Sequence, residues 1–152
     1  MNVLIDNYSN LNFVICDFGF SHFVGDEYDI VSGLSKPLSV GITYAYAAPE
    51  LLDIVLNYEK PKFSELEMKM DVYAYAITMY ETISRITPWR GLSKFDLYEK
   101  VNNGERPEIP ESSRYTGDLK QIVELIRICW AQAPNDRPGF DEILKSLHAK
   151  RK

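Results

Sequence analysis

The sequence predicts a mainly α-helical fold that begins with a β-hairpin. Two short apolar runs, at residues 3–5 and 13–16, flank a stretch of turn-forming residues, as the strands of a hairpin do. Residues 71–83 are apolar on nearly every face, which is typical of a helix buried on all sides at the centre of a fold. Two later segments, 119–130 and 140–147, carry apolar residues near the 3.6-residue period and predict amphipathic helices.

The remaining segments predict a long loop, two shorter helices and a surface connection. Residues 19–47 have mixed polarity and no helical period, and a compact domain tolerates so long a loop mainly when it is functional. Pro49 suits the first turn of one helix. Ser93 with Asp96 resembles the capped start of another. Residues 57–69 are charged, which favours a connection on the surface.

Length and composition predict one soluble, cytoplasmic domain. A chain of 152 residues can bury a core, and its 45% hydrophobic and 26% charged residues are ordinary for a globular protein. The net charge of −5 argues against a nucleic-acid partner. Cys16 and Cys129 have no metal-binding spacing and predict reduced thiols. No apolar run approaches the ~20 residues that a membrane span needs.

Short motifs follow one another in a characteristic order along the chain. They are Asn2-Val3-Leu4-Ile5, Asp17-Phe18-Gly19, Ala48-Pro49-Glu50, Asp71-Val72-Tyr73, Gly104-Glu105-Arg106-Pro107, Cys129-Trp130 and Arg137-Pro138-x-Phe140. This succession resembles the second half of a eukaryotic protein kinase, entered within its catalytic loop. The resemblance implies that residues 1–152 form a partial kinase domain, the C-terminal lobe with a hairpin at its start and without the N-terminal lobe. The last three motifs resemble the tyrosine-kinase-like and tyrosine kinase branches in particular.

The resemblance implies a magnesium–ATP site at the hairpin. In protein kinases the catalytic-loop Asn and the Asp of D-F-G hold the metal, which here would be Asn2 and Asp17, with Phe18 and Gly19 as structural neighbours. A carboxylate that directly follows a strand can ligate Mg²⁺, a cation that prefers oxygen ligands. The alternatives are that Asp17 only forms a turn and that Asn2 is a disordered terminal residue.

The resemblance also implies a substrate-binding loop and the contacts that hold it. Glu50 and Arg137 would meet as a buried ion pair, because a charge taken out of water needs its partner. Thr43 would line the acceptor site, as in serine/threonine kinases, although it could equally be an exposed loop threonine. Asp71 would be the buried residue that starts the central helix and accepts hydrogen bonds from the catalytic loop. Its alternative is a simple carboxylate at a helix N-terminus.

Four hydroxyl residues of the long loop are candidate phosphorylation sites, with loop polarity as the alternative: Ser32, Ser35, Ser39 and Thr43. The sequence holds no G-x-G pair, no V-A-I-K strand and no H-R-D, so it offers no catalytic base. We therefore expect the chain alone to be inactive and to bind ATP weakly or not at all. Without the missing half, apolar surface on Val72, Tyr75 and Met79 would be uncovered and would favour self-association.

Two readings of function remain open at this point. In the first, the chain is the C-terminal part of a serine/threonine-specific kinase that acts on a protein substrate. In the second, it is a non-catalytic pseudokinase module that binds a protein partner through its helical surface. The substrate, the upstream regulator, the oligomeric state and the completeness of the gene are not encoded in any motif.

Overall fold

The computed structural model describes residues 3–7, 9, 12–18, 42–57, 66–110 and 115–149. The chain divides into two compact units, residues 1–33 and 34–152. In the first unit, strands β1 (Val3–Asn7) and β2 (Asn12–Ile15) pair antiparallel, with an irregularity between Ile5 and Asn7. The predicted hairpin is confirmed, and both of its strands carry exposed apolar side chains.

The described part of the second unit contains five α-helices and confirms the mainly α prediction. They are α1 (Pro49–Asn57), α2 (Leu66–Ser84), α3 (Lys94–Asn102), α4 (Asp118–Cys129) and α5 (Phe140–His148). Within the long segment predicted as loop, Tyr44–Tyr46 form one 3₁₀ turn. None of the described helices has both the length and the apolar character needed to cross a membrane.

The central helix α2 begins earlier than the sequence predicted. It starts at Leu66, so the interpretation of 66–69 as surface connection was wrong, and Asp71 lies inside the helix rather than at its first residue. The physical reason is helix propensity: Leu, Glu, Met and Lys are all strong helix formers, and charge alone did not indicate a loop here. Asp71 is also exposed, where burial was expected.

Helix α2 is the centre of the core, but it is buried on one side rather than on all sides. Its fully buried residues recur every three or four positions, and they are Val72, Tyr73, Ala76, Ile77 and Tyr80. They pack with the end of α4 and with Ile143 of α5. Val72 is only 1% exposed, so the expectation of uncovered surface there was wrong. Tyr75 and Met79 are partly buried against the same cluster.

The other helices are positioned by caps and by a second core cluster. The predicted start of α3 is confirmed as a capping box, in which Ser93 Oγ accepts from the Asp96 amide at 3.2 Å and Asp96 Oδ2 accepts from the Ser93 amide at 3.3 Å. Leu52 of α1 and Leu97 and Val101 of α3 are buried together with Ala47. This cluster attaches α1, and the loop that precedes it, to α3.

Candidate functional site

Residues 43–50, here called the substrate loop after the role that the resemblance implies, comprise a compact connection and the first two residues of α1. Thr43 precedes the 3₁₀ turn, is exposed, and does not cap the turn with its side chain. The Tyr46 amide donates to Thr43 O at 3.0 Å and the Ala47 amide donates to Tyr44 O at 3.1 Å. Ala47 and Ala48 are buried, so the second half of the loop is anchored while the threonine faces solvent.

Pro49 and Glu50 occupy the first two positions of α1. Proline fits this place because its missing N–H would have no helical partner there, and its fixed φ suits the first turn. A carboxylate in the first turn is stabilised by the positive end of the helix dipole. The local sequence therefore both starts the helix and places the Glu50 carboxylate in its first turn.

Arg137 meets Glu50 in a bidentate ion pair. Arg137 Nη1 donates to Glu50 Oε1 at 2.6 Å and Nη2 donates to Oε2 at 2.9 Å. Arg137 is 1% exposed and is the largest by volume of the fully buried side chains among the described residues. The Glu50 side chain retains 21% of its exposure. The ion pair predicted from the two motifs is confirmed.

All five N–H donors of Arg137 are used. Besides the two bonds to Glu50, Nε donates to Ala131 O at 2.9 Å, Nη1 to Lys69 O at 2.9 Å and Nη2 to Gln132 O at 3.2 Å. A guanidinium has five donors and no acceptor, so its hydrogen-bonding capacity is satisfied in full. This arrangement makes burial of a permanent charge tolerable.

Lys69 and Arg137 are joined by two hydrogen bonds, one from each side chain to the other residue's backbone. Lys69 Nζ donates to Arg137 O at 2.5 Å, while Lys69 O accepts from Nη1 of the arginine. Arg137 therefore connects three elements. It binds the start of α1 through Glu50, the first turns of α2 through Lys69, and the segment after α4 through Ala131 and Gln132. Because α2 begins at Leu66, it extends far enough to supply these contacts.

A second contact fixes the substrate loop against α2. The Tyr46 hydroxyl donates to Glu81 Oε2 at 2.5 Å. Burial raises the pKa of Tyr46 to about 12, and the hydrogen bond and negative charge of Glu81 add to the shift. Tyr46 and Glu50 lie four residues apart and contact different parts of the domain, so the loop is held at two points.

The hairpin presents the candidate metal ligand at its end. Asp17 is exposed and has φ of 66°, a left-handed conformation that is uncommon outside glycine but is tolerated by aspartate. Such backbone outliers occur disproportionately at functional sites. Phe18 is exposed as well. Asn2 and Gly19 lie outside the described residues.

Asp17 fits magnesium by its chemistry, since Mg²⁺ is usually held by one or two carboxylates together with substrate phosphates. Within the described ranges no group of three or more His, Cys, Asp or Glu side chains could hold a metal ion by itself. The role of the Asn2 amide and of nucleotide phosphates as further ligands stays a prediction from the resemblance.

Two groups of predicted residues stand apart from this geometry. Asp71 is exposed in the second turn of α2, and its predicted role in holding the catalytic loop stays a prediction. Of the candidate phosphorylation sites, Ser32, Ser35 and Ser39 lie outside the described residues. Thr43 is described and accessible at the start of the substrate loop.

Several contributors to the site were not assigned a role from the sequence, namely Tyr46, Lys69, Glu81 and Gln132. Lys69 Nζ donates to Arg137 O, whereas the other bonds of Lys69 and Gln132 to Arg137 run through their backbone carbonyls. A backbone carbonyl leaves no signature in side-chain type, so no sequence signal could have indicated those contacts.

Comparison with known proteins agrees with the geometry. The family described as "Protein tyrosine and serine/threonine kinase" matches residues 1–147. The chain is 30% identical over 136 residues to the serine/threonine-protein kinase mos of Xenopus laevis, covering 88% of this chain and 35% of that protein. It is 30% identical over 149 residues to mitogen-activated protein kinase kinase kinase 7 of Drosophila melanogaster, covering 97% of this chain and 18% of that protein.

A third relative has a similar degree of likeness. Receptor-interacting serine/threonine-protein kinase 2 of Bos taurus is 32% identical over 150 residues, which cover 96% of this chain and 26% of that protein. The chain thus spans between 18% and 35% of the length of these three relatives. The match of the family over nearly every residue, together with the buried pair formed by two of its motifs, decides the assignment. This chain belongs to the protein tyrosine and serine/threonine kinase family.

Proposed function

We propose that this chain is the substrate-loop half of a serine/threonine-specific protein kinase of the tyrosine-kinase-like branch. The observation that carries the proposal is the buried Glu50–Arg137 pair, which fixes residues 43–50 against α2 and the end of α4. In a phosphotransferase most of the catalysis comes from positioning and electrostatic stabilisation, so a braced substrate loop has a direct purpose.

Thr43 supports the serine/threonine assignment. It is exposed at the start of the braced loop, where an acceptor hydroxyl could approach it, and its side chain is not occupied in capping the turn. Two of the three relatives named above, those from Xenopus laevis and Bos taurus, are called serine/threonine kinases. In the complete domain, Asn2 and Asp17 would hold Mg²⁺–ATP, and a cytoplasmic protein would be the substrate.

By itself, the chain should transfer no phosphate. Phosphoryl transfer requires a cradle for the phosphates, a lysine that contacts them and a carboxylate that orients the acceptor hydroxyl. The sequence contains no G-x-G, no V-A-I-K and no H-R-D to supply them. Asn2 and Asp17 would then lack the motifs that hold the phosphates, so ATP affinity should be weak.

A transfer assay tests this proposal. The purified chain and its Asp17→Ala variant are incubated with labelled ATP, Mg²⁺ and a generic protein substrate. We expect no incorporation above background in either protein. Magnesium-dependent incorporation that disappears in Asp17→Ala would contradict the expected inactivity, because it would require catalytic parts that no motif indicates.

The coding sequence upstream of Met1 tests the kinase assignment separately. A continuous reading frame that encodes H-R-D and G-x-G-x-x-G supports a kinase of which this is one half. An in-frame stop codon directly upstream contradicts it and favours the second candidate, a pseudokinase-type interaction module.

The second candidate has one structural feature in its favour. Phe140 and Leu144 lie one turn apart on α5 and are 46% and 54% exposed, and Phe140 stacks edge-on against Tyr75 with ring centroids 5.8 Å apart. Exposed apolar side chains that form a patch mark interaction surfaces. Sedimentation of the wild type and of Leu144→Ser decides it: a dimer lost in the variant supports the module, and monomers in both contradict self-association.

A further inference from the structure

Arg106 makes a set of contacts that neither the ion pair nor the substrate loop uses. It follows α3, and its Nε donates to Trp130 O at 2.8 Å, while Nη2 donates to Gln132 Oε1 at 2.7 Å. Its Nη1 donates to Glu105 O at 2.7 Å, within its own loop. One planar guanidinium therefore binds the backbone and a side chain of the segment that follows α4.

The two arginines together bind three consecutive carbonyls beyond the end of α4. Arg106 binds Trp130 O, and Arg137 binds Ala131 O and Gln132 O. These carbonyls directly follow the C-terminus of α4, where the negative end of the helix dipole favours cations. Gln132 contacts both arginines, one through its backbone and one through its side chain.

The Tyr73 ring contacts the guanidinium groups of the same two arginines. The guanidinium carbon of Arg106 lies 5.2 Å from the centroid of the Tyr73 ring, and that of Arg137 lies 5.1 Å from it. Both distances are within the range of cation–π attraction. Burial lowers the pKa of Arg106, with a smaller contribution from the positive charge of Arg137. The ring and the carbonyls thus offset the repulsion between two neighbouring cations.

We propose that Arg106 is a positioning residue for the substrate loop. It acts through Tyr73 and the 130–132 segment on Arg137, and Arg137 holds Glu50 at the loop's end. On this account the Gly104–Pro107 motif places Arg106 against Tyr73 and the 130–132 segment, and both of these contact Arg137. The meaning of this role rests on the proposed kinase function, but the physical coupling does not depend on it.

Hydrogen exchange of the full chain tests the coupling. The amides of Leu51 and Leu52 donate to Ala48 O and report on the anchored end of the substrate loop. The amide of Ile77, in the middle of the core helix, reports on global unfolding. The measured quantity is the exchange rate at Leu52 divided by that at Ile77, which rises only when opening of the loop increases more than unfolding of the core.

In Arg106→Ala this ratio should rise about tenfold, the change expected for losing one charge-assisted hydrogen bond from a local opening equilibrium. The matched control is Arg127→Ala, which removes an exposed arginine of α4 that pairs with Glu124. That control should leave the ratio unchanged. An unchanged ratio in Arg106→Ala overturns the proposal, because Arg106 would then contribute nothing specific to the loop.

Three further substitutions, one at Arg106 and two at Tyr73, keep the test informative if Arg106→Ala does not fold. Arg106→Lys retains the charge but not the fork that reaches Trp130 and Gln132 together, so it should raise the ratio nearly as much. Full retention of the wild-type ratio by lysine contradicts the proposal. Tyr73→Phe keeps the ring and should leave the ratio unchanged, whereas Tyr73→Leu should raise it; equal ratios in the two variants also contradict it.

The outcome is separable from that of the proposed function. A chain that shows the coupling and yet has an in-frame stop codon upstream would retain Arg106 as a positioning residue in a non-catalytic module. A chain without the coupling, but with a kinase reading frame upstream, would lose only the present inference.

Discussion

Replacing Tyr73 by phenylalanine should stabilise this protein, although it removes a polar group from the core. Tyr73 is 0% exposed, and its hydroxyl has no hydrogen-bond partner among the described residues. A buried polar group without a partner costs about 1–3 kcal/mol, and phenylalanine removes that cost while it keeps the ring between α2 and the two arginines. We expect a gain of about 1 kcal/mol in the free energy of unfolding.

The comparison variant is Tyr98→Phe. The Tyr98 hydroxyl donates to Asp53 Oδ1 at 2.8 Å and accepts from Asn57 Nδ2 at 3.0 Å, so its removal should lose about 1 kcal/mol. Urea unfolding followed by tryptophan fluorescence measures both, and a change of about 1 kcal/mol corresponds to a midpoint shift of about 0.5 M at a typical slope. Equal destabilisation by the two substitutions would refute the reasoning.

Three other predictions concern a cap, the alkaline range and a thiol. Ser93→Ala should cost about 1 kcal/mol in urea unfolding, because it breaks the capping box at the start of α3; a loss no larger than that of an exposed serine in α5, Ser146→Ala, would contradict it. The free energy of unfolding should fall between about pH 9 and 12. Burial raises the pKa of Cys129 from 9.0 to about 11 in the folded chain, and the pKa of Tyr46 also rises. The unfolded chain therefore loses these protons at lower pH than the folded chain, and the folded state becomes relatively less stable as pH rises. Equal urea midpoints at about pH 8 and pH 11 would contradict this. In a Cys16→Ser variant, the remaining thiol should not react with Ellman's reagent until urea unfolds the chain, since Cys129 is fully buried; prompt reaction in buffer would show the core to be open.

The contact between Glu50 and Arg137 was predicted more accurately from the sequence than the start of α2 was. Glu50 and Arg137 are 87 residues apart, yet their motifs identified them as partners, and the structure joins them through both carboxylate oxygens. The prediction came from the resemblance to protein kinases, in which these two motifs meet, and its physical basis is that a buried charge needs an opposite charge. The start of α2 was instead inferred from the charge pattern, and there ordinary helix propensity outweighed that pattern.

The remaining parts of the site could not be predicted because they depend on the backbone and on tertiary placement. The acceptors for three of Arg137's five donors are carbonyls, which every residue possesses. The link from Tyr46 to Glu81 joins residues 35 apart that belong to no common motif. Val72 was expected to be uncovered, but the packing of α4 and α5 on α2 buries it.

A pair of double-mutant cycles tests the central claim most directly. The claim is that the Glu50–Arg137 pair locks the substrate loop, and the exposed Glu124–Arg127 pair of α4, at 3.1 Å, is its natural control. Single and double alanine variants of each pair are unfolded in urea. We predict a coupling of about 3 kcal/mol for the buried pair and about 0.3–0.5 kcal/mol for the exposed one. A coupling between Glu50 and Arg137 no greater than that of the exposed pair would contradict the account.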